Sequence, residues 1–372
     1  MKNNLRKKLN PVDSGIGFLV GLLTLIVTTY IVEIFVMLVY LKESLTNTNA
    51  LKEAMSDPIA FTLMSLVPQA CLFIFGLIFT KARKIDFVEA YQYNKSPGLI
   101  VLAVIPVLAL FLILSDFPML TAVDDIFRRI NYKPMETNLD ALIRAPGGFI
   151  LALFLVCALP AICEELIFRG IVLQGLASRY KPFTAILLSA LAFSLTHMSP
   201  AQTAHQFVLG VALGYIVLAT KSIWSGILLH FCNNLWALII ELAPSNYFVF
   251  PGLDNIIFIY AGGAFITVLG LIAFFLAVDI ANKRVSDGIL AQSIRRLIKR
   301  EKYNGYVINY DIITPPPAGL ALMPMTEEEY NNYVITKHKR GKRLFIGLFL
   351  TALGVCLLSW IFNLISGMIN LG

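Results

Sequence analysis

The chain has 372 residues, 58% of them hydrophobic and 14% charged, a balance that excludes a soluble globular domain because too few polar side chains remain to coat one. A formal charge of +7 would suit a nucleic-acid binder, yet in so apolar a chain the placement of the basic residues matters more than their sum, since cytoplasmic loops of membrane proteins concentrate Lys and Arg. The lipid bilayer is therefore the expected partner, and nucleic acid is not.

Nine apolar runs are predicted to cross ~30 Å of hydrocarbon at about 1.5 Å per residue. They are 15–41, 59–80, 98–115, 147–176, 183–199, 203–220, 222–241, 255–278 and 344–367, the fifth and sixth near the lower length limit. The expected fold is all-α, a polytopic transmembrane helical bundle of about eight or nine spans with a small cytoplasmic insertion. Its parts are 1–145 (N-terminal helices and loops), 146–242 (a chemical core), 243–278 (one helix), 279–343 (the insertion) and 344–372 (a C-terminal helix).

The first run follows Lys2, Arg6, Lys7 and Lys8. It is too long for a signal-peptide apolar region and lacks a small-residue cleavage site, so it reads as a retained helix. Glu33 lies alone within it. Loop 42–58 sets Glu43, Glu53 and Asp57 against Lys42 and Lys52, whereas the next carries Lys81, Arg83, Lys84 and Lys95, which places the N-terminus in the cytoplasm. Loop 116–146 mixes Asp116, Asp124, Asp125, Arg128, Arg129, Lys133 and Glu136 and decides nothing. Alternation then puts 242–254, without Lys or Arg, outside, and 279–343 inside. That insertion combines an amphipathic stretch at 289–298, a Pro315-Pro316-Pro317 turn and an acidic Glu327-Glu328-Glu329 run between two basic clusters. Cys71, Cys157, Cys163, Cys232 and Cys356 all fall in predicted spans without metal or disulfide spacing and read as reduced packing residues.

Charged residues inside a span cost about 2.5–3.5 kcal/mol each on insertion scales, so they need a reason. The fourth run holds three, in Cys163-Glu164-Glu165-Leu166-Ile167-Phe168-Arg169-Gly170. Glu165 and Arg169, four apart, share a helix face and can neutralise one another. Glu164 is rotated by about 100° and must find its partner on another helix. Of four histidines, His197, His205 and His230 lie in this same third of the chain. His197 follows Phe193 by four residues, and His230 shares a face with Asn234; His205 reads as interfacial. Counted from the cytoplasmic helix ends, Glu164 lies about 18 Å deep, His197 about 21 Å, His230 about 12 Å and Asn234 about 18 Å. One site at one level, open toward the cytoplasm, is expected. A carboxylate beside a histidine can serve as general base to water, and a second histidine with an amide can stabilise an oxyanion.

Glu164-Glu165-x-x-x-Arg169, Phe193-x-x-x-His197, Phe207-x-x-Gly210-x-x-x-Gly214 followed by Ser222-Ile223-Trp224, and His230-x-x-x-Asn234 occur in order over about 160–236. In this the chain resembles the CPBP family, the CAAX-type prenyl endopeptidases and bacteriocin-processing membrane proteases. The resemblance implies an intramembrane endopeptidase in which Glu164, aided by His197, activates water, His230 and Asn234 face the oxyanion, and Glu165 with Arg169 support them. No cofactor is expected. The absence of His-Glu-x-x-His removes the usual zinc-peptidase helix, although Glu164, His197 and His230 could ligate a divalent metal. The implied substrate is a membrane-associated peptide or protein, prenylated where the host makes such proteins. The compact loops point to a bacterial plasma membrane, hence equally to peptide or bacteriocin maturation.

Blander readings stand beside these. Glu165 with Arg169 is also what an interhelical tie looks like, and Gly210 with Gly214 form a small-residue packing face. A non-catalytic binding or bacteriocin self-immunity protein would share the scaffold. A serine type lacks its Gly-x-Ser-Gly setting, since Ser225-Gly226 and Ser366-Gly367 have no preceding glycine. An aspartyl type would need paired membrane aspartates, whereas Asp254 and Asp279 sit at span ends. A transporter is disfavoured by the missing internal repeat.

Overall fold

The computed structural model describes residues 8–42, 57–92, 96–133, 143–144, 146–242, 258–299 and 327–369. No strand occurs among them, and the protein is an all-α polytopic membrane bundle. In chain order its helices are α1 (Pro11–Tyr40), α2 (Pro58–Ala82), the short α3 (Phe87–Tyr91), α4 (Leu99–Arg129), α5 (Gly148–Ala177) and α6 (Pro182–Thr196). They continue as α7 (Pro200–Thr220), α8 (Ile223–Leu242), α9 (Tyr260–Ala281), the amphipathic α10 (Ile289–Lys299) and α11 (Glu327–Ile369). Eight of the described helices are long and apolar enough to cross a membrane. The fifth run becomes α6, whose 15 residues fall short of the ~20 that a full crossing needs.

Local chemistry explains the helix starts. Asn10 caps α1 in a reciprocal box with Asp13, with Pro11 in the first turn, and Asp57 accepts from the Ile59 and Ala60 amides ahead of α2. Asp13, fully buried, also receives Arg83 at 2.6 Å, which ties the start of α1 to the end of α2.

Two boundaries differ from expectation. The third span does not end before Asp116: α4 runs 31 residues to Arg129, through Pro106 and Pro118, and Asp116 is buried inside it. A lone carboxylate reads as the start of a loop, but here it is partnered from two other helices, as described below. The C-terminal helix begins at Glu327, well ahead of 344, so the predicted insertion is partly helix; the acidic Glu327–Glu329 run sits at its N-terminus, where the helix dipole favours negative charge. The Pro315-Pro316-Pro317 turn and most of loop 242–254 lie outside the described residues.

The helix ends sort into two sets. One holds Pro11, Ala82, Leu99, Ala177, Pro182, Thr220, Ile223 and Ala281; the other holds Tyr40, Pro58, Arg129, Gly148, Thr196, Pro200 and Ile369. Of the 30 Lys and Arg residues, 23 lie at or in segments joined to the first end, six at the second, and Arg169 between them. On α7, a Cβ at Gly210 would come within 3.0 Å of Ala190 and one at Gly214 within 3.2 Å of Ile186, so these glycines let α6 approach closely.

Candidate active site

α5 holds Glu164, Glu165 and Arg169 and is not a uniform α-helix. Leu153–Ala158 and Leu166–Val172 are wound more loosely, with i→i+5 bonding, and Pro160 lies between them. Such π segments recur at functional sites because they re-aim side chains without ending the helix. Glu164 and Glu165 sit at the junction and leave α5 in different directions.

Glu165 faces the packed core. Its Oε1 accepts from Arg169 Nη1 at 2.7 Å and from His230 Nδ1 on α8 at 3.1 Å, and both members of the Glu165–Arg169 pair are fully buried. Arg169 also donates from Nη2 to the Gly210 carbonyl at 3.3 Å and lies 4.3 Å above the Phe193 ring. A Cβ at Gly226 would stand 2.9 Å from Glu165 Oε2, so the backbone of α8 seals this side. The result is a closed charge cluster linking α5, α7 and α8.

Glu164 faces a cavity of about 380 Å³. Leu25 and Thr29 of α1, Met64, Ser65, Pro68, Gln69 and Leu72 of α2, Leu155, Val156, Pro160 and Phe168 of α5, and Thr196 with His197 at the end of α6 form its wall. Glu164 Oε1 accepts from Gln69 Nε2 at 2.9 Å, whereas Oε2 is buried with no hydrogen-bond partner among the described residues. His197 Nδ1 lies 3.0 Å from the Phe193 carbonyl. A carbonyl only accepts, so Nδ1 carries the proton and Nε2 is the nitrogen left to a ligand in the cavity.

Of the four residues assigned to water activation and the oxyanion, Glu164 and His197 share this cavity. His230 and Asn234 do not line it. His230 is turned to Glu165, and Asn234 Nδ2 donates to the Val156 carbonyl at 3.1 Å. The reason is local: Pro160 has no N–H to offer Val156 four residues back, and the Asn234 amide supplies the missing donor. Among the described residues no three His, Cys, Asp or Glu side chains gather as metal ligands, and His230 does not line the cavity that Glu164 and His197 share.

Along the helices the cavity wall lies mostly on the side of Glu164 away from the basic end. Leu72 and Phe168, both buried, lie about one turn from Gln69 and Glu164 on the basic side, while Met64, Leu155, Val156 and Thr29 carry the wall toward the opposite end.

Two further features were not assigned from sequence. Gln69 is an uncharged amide in an apolar run, and its only signal was the need of such a group for a partner. His205, read as interfacial, instead pairs inside the bundle: its Nδ1 lies 2.9 Å from Asp116 Oδ2, and Thr267 donates to Asp116 Oδ1 at 3.3 Å, joining α4, α7 and α9. Ending the third span at 115 hid that partner.

Residues 146–236 match the family model described as Type II CAAX prenyl endopeptidase Rce1-like, the family type that the ordered motifs resemble. Among curated proteins, "Putative membrane peptidase YdiL" of Bacillus subtilis (strain 168) is 27% identical over 111 residues, which cover 30% of this chain and 46% of that protein. The chain thus spans about half the length of this relative. No solved structure matches. The matched segment contains Glu164, Glu165, Arg169, His197, His230 and Asn234; Gln69, Asp116 and Thr267 lie outside it.

Proposed function

We propose, from the Rce1-like match over 146–236 together with the cavity at Glu164, that this multi-pass membrane protein is an intramembrane endopeptidase. The observation that carries the reading is Glu164 Oε2, a buried acceptor with no protein partner among the described residues, in a cavity shared with His197. Glu164 takes a proton from water as the water oxygen attacks the scissile carbonyl, and His197, through Nε2, assists the proton transfers. In the oxyanion role assigned to them, Asn234 would use the second N–H of Nδ2 and His230 its Nε2, because Nδ2 already donates to the Val156 carbonyl and Nδ1 to Glu165. No metal enters these steps.

Apolar residues supply much of the wall, among them Leu25, Leu72, Leu155, Val156 and Phe168. They suit a peptide held at the membrane by its own apolar segment or lipid, a prenyl group being one such tether. The 23-to-six division of basic residues supports a cytoplasmic N-terminus, in a bacterium the cytoplasmic face of the plasma membrane. Substrate then reaches Glu164 from the extracytoplasmic side. A fluorescent reporter fused after Arg179, between α5 and α6, should light up in the cytoplasm; a periplasmic alkaline-phosphatase reporter active at that point would reverse the orientation.

The functional test is a comparison of peptides released by cells carrying wild type and Glu164→Ala, at matched membrane levels of protein. Peptides that disappear with Glu164→Ala support the proteolytic reading. Unchanged release with an intact phenotype would replace it with the non-catalytic binding or self-immunity reading.

A further inference from the structure

Gln69 lies on α2, outside the matched segment and 95 residues from Glu164 in sequence, yet its Nε2 donates to Glu164 Oε1 at 2.9 Å. The chemistry of the contact fixes the amide's orientation, because a carboxylate oxygen accepts and only the NH₂ group donates. Gln69 Oε1 is therefore an acceptor, and like Glu164 Oε2 it is buried with no hydrogen-bond partner among the described residues. Both side chains line the cavity that His197 also lines. Glu165 Oε2 and Arg169 Nε are likewise without a partner among the described residues, but neither residue lines this cavity; Gln69 and Glu164 leave two acceptors unsatisfied on residues that share one space.

Two acceptors call for a ligand with two donors, and water has two O–H groups. We infer that Gln69 is a positioning residue for the proposed hydrolysis: it holds the Glu164 carboxylate through Nε2 and, through Oε1, accepts one O–H of the attacking water while Glu164 Oε2 accepts the other. With its hydrogens so fixed, the water's lone pair is directed away from both acceptors, toward the site of a scissile carbonyl. The water oxygen bonds to the carbonyl carbon, its proton passes to Glu164, and that proton goes to the leaving nitrogen as the C–N bond breaks. Gln69 gains and loses nothing.

Local sequence supports the placement. Pro68, immediately before Gln69, has no N–H, so the Met64 carbonyl loses its helical donor at this level of α2, and Met64 and Pro68 both line the same cavity. The backbone of α2 is thus more polar beside Gln69 than the apolar run suggests.

This inference rests on the endopeptidase reading, and the experiment separates the two. The probe is a peptide whose release distinguishes wild type from Glu164→Ala, assayed with purified full-length protein in detergent. Gln69→Leu should lower kcat by about 10²-fold, as for a misplaced reacting group, with KM little changed. Gln69→Glu puts a second carboxylate beside Glu164, which disfavours the ionised base, so the acid limb of the pH–rate profile should move to higher pH. Gln69→Asn, shorter but chemically alike, should recover part of the rate. Wild-type kcat and pH profile in Gln69→Leu and Gln69→Glu, with Glu164→Ala inactive, would overturn the positioning role and leave the endopeptidase reading standing. Were Gln69→Leu to misfold, the pH shift in Gln69→Glu decides. Full cleavage by Glu164→Ala would overturn both.

Discussion

Glu164 and Glu165 are adjacent in sequence and opposite in circumstance. Glu165 has Arg169 at 2.7 Å and His230 at 3.1 Å in a buried cluster, whereas Glu164 has a neutral amide and a cavity. Placing a carboxylate in hydrocarbon is costly in either case. Each glutamate leaves its Oε2 without a hydrogen-bond partner among the described residues, but Glu165 has a compensating cation in Arg169, whereas Glu164 lines a cavity that something can enter. The same residue type on neighbouring backbone therefore gives a tie in one direction and the proposed general base in the other, and the rotation of about 100° between consecutive helical residues decides which.

The comparison breaks most sharply at Glu164. Glu164→Gln should cut cleavage by about 10²–10⁴-fold, the usual contribution of a positioned general base, while thermal unfolding in detergent stays close to wild type. A large loss of stability instead would move Glu164 into the same class as Glu165. Arg169→Met should do the reverse of this pattern, destabilising the fold by about 3–5 kcal/mol because Glu165 is left buried without its cation. Unfolding followed by thermal or denaturant titration measures it. The double variant Glu165→Leu with Arg169→Met should recover much of the loss, since a buried ion pair replaced by apolar groups is often close to neutral.

The division between the glutamates was legible in the sequence, because Arg169 at four residues gives Glu165 a partner and denies one to Glu164. The helices were legible too, from apolar runs and their flanking charges. What depth along the membrane normal could not supply was direction around each helix. His230 and Asn234 share a face and a level with Glu164, yet Glu165 takes one and the Val156 carbonyl, exposed by Pro160, takes the other. Competition among several polar partners at one depth is settled by a few degrees of helix rotation, here altered by the π segments of α5. Gln69 was harder still, being neutral and outside every motif. Asp116 was lost to a boundary, since a charge after an apolar run looks like the end of a helix until its partners on α7 and α9 are known.

Asn234 offers a finer cut between structural and reactive roles. As the donor to the Val156 carbonyl it should cost about 1–3 kcal/mol of stability when changed to Leu, the penalty of an unsatisfied buried acceptor, with a modest change in cleavage. As an oxyanion donor it should instead cost about 10²–10³ in kcat. Measuring both quantities on the one variant separates the roles, and a loss in both would mean that the two N–H groups of Asn234 serve both.

The smallest effect is expected at the third polar cluster, and it tests whether the Glu164 cavity is electrostatically self-contained. Asp116 is buried, but His205 keeps 18% of its side-chain surface, so water moderates their interaction. A double-mutant cycle over Asp116→Asn and His205→Gln should give a coupling of about 0.5–3 kcal/mol in unfolding, at the lower end because of that exposure. His205 nonetheless lies on α7, which begins three residues after His197. Asp116 holds His205 Nδ1 at 2.9 Å, so removing Asp116 changes the surroundings of His205 without touching the cavity wall. If cleavage by Asp116→Asn follows the wild-type pH profile, the contrast between the two glutamates is complete as drawn, one cavity and one sealed pair. A displaced profile with unchanged stability would extend the reactive region across α6 and α7 to a carboxylate on α4, and the relevant comparison would then be between two histidine–carboxylate sites instead of two neighbouring glutamates.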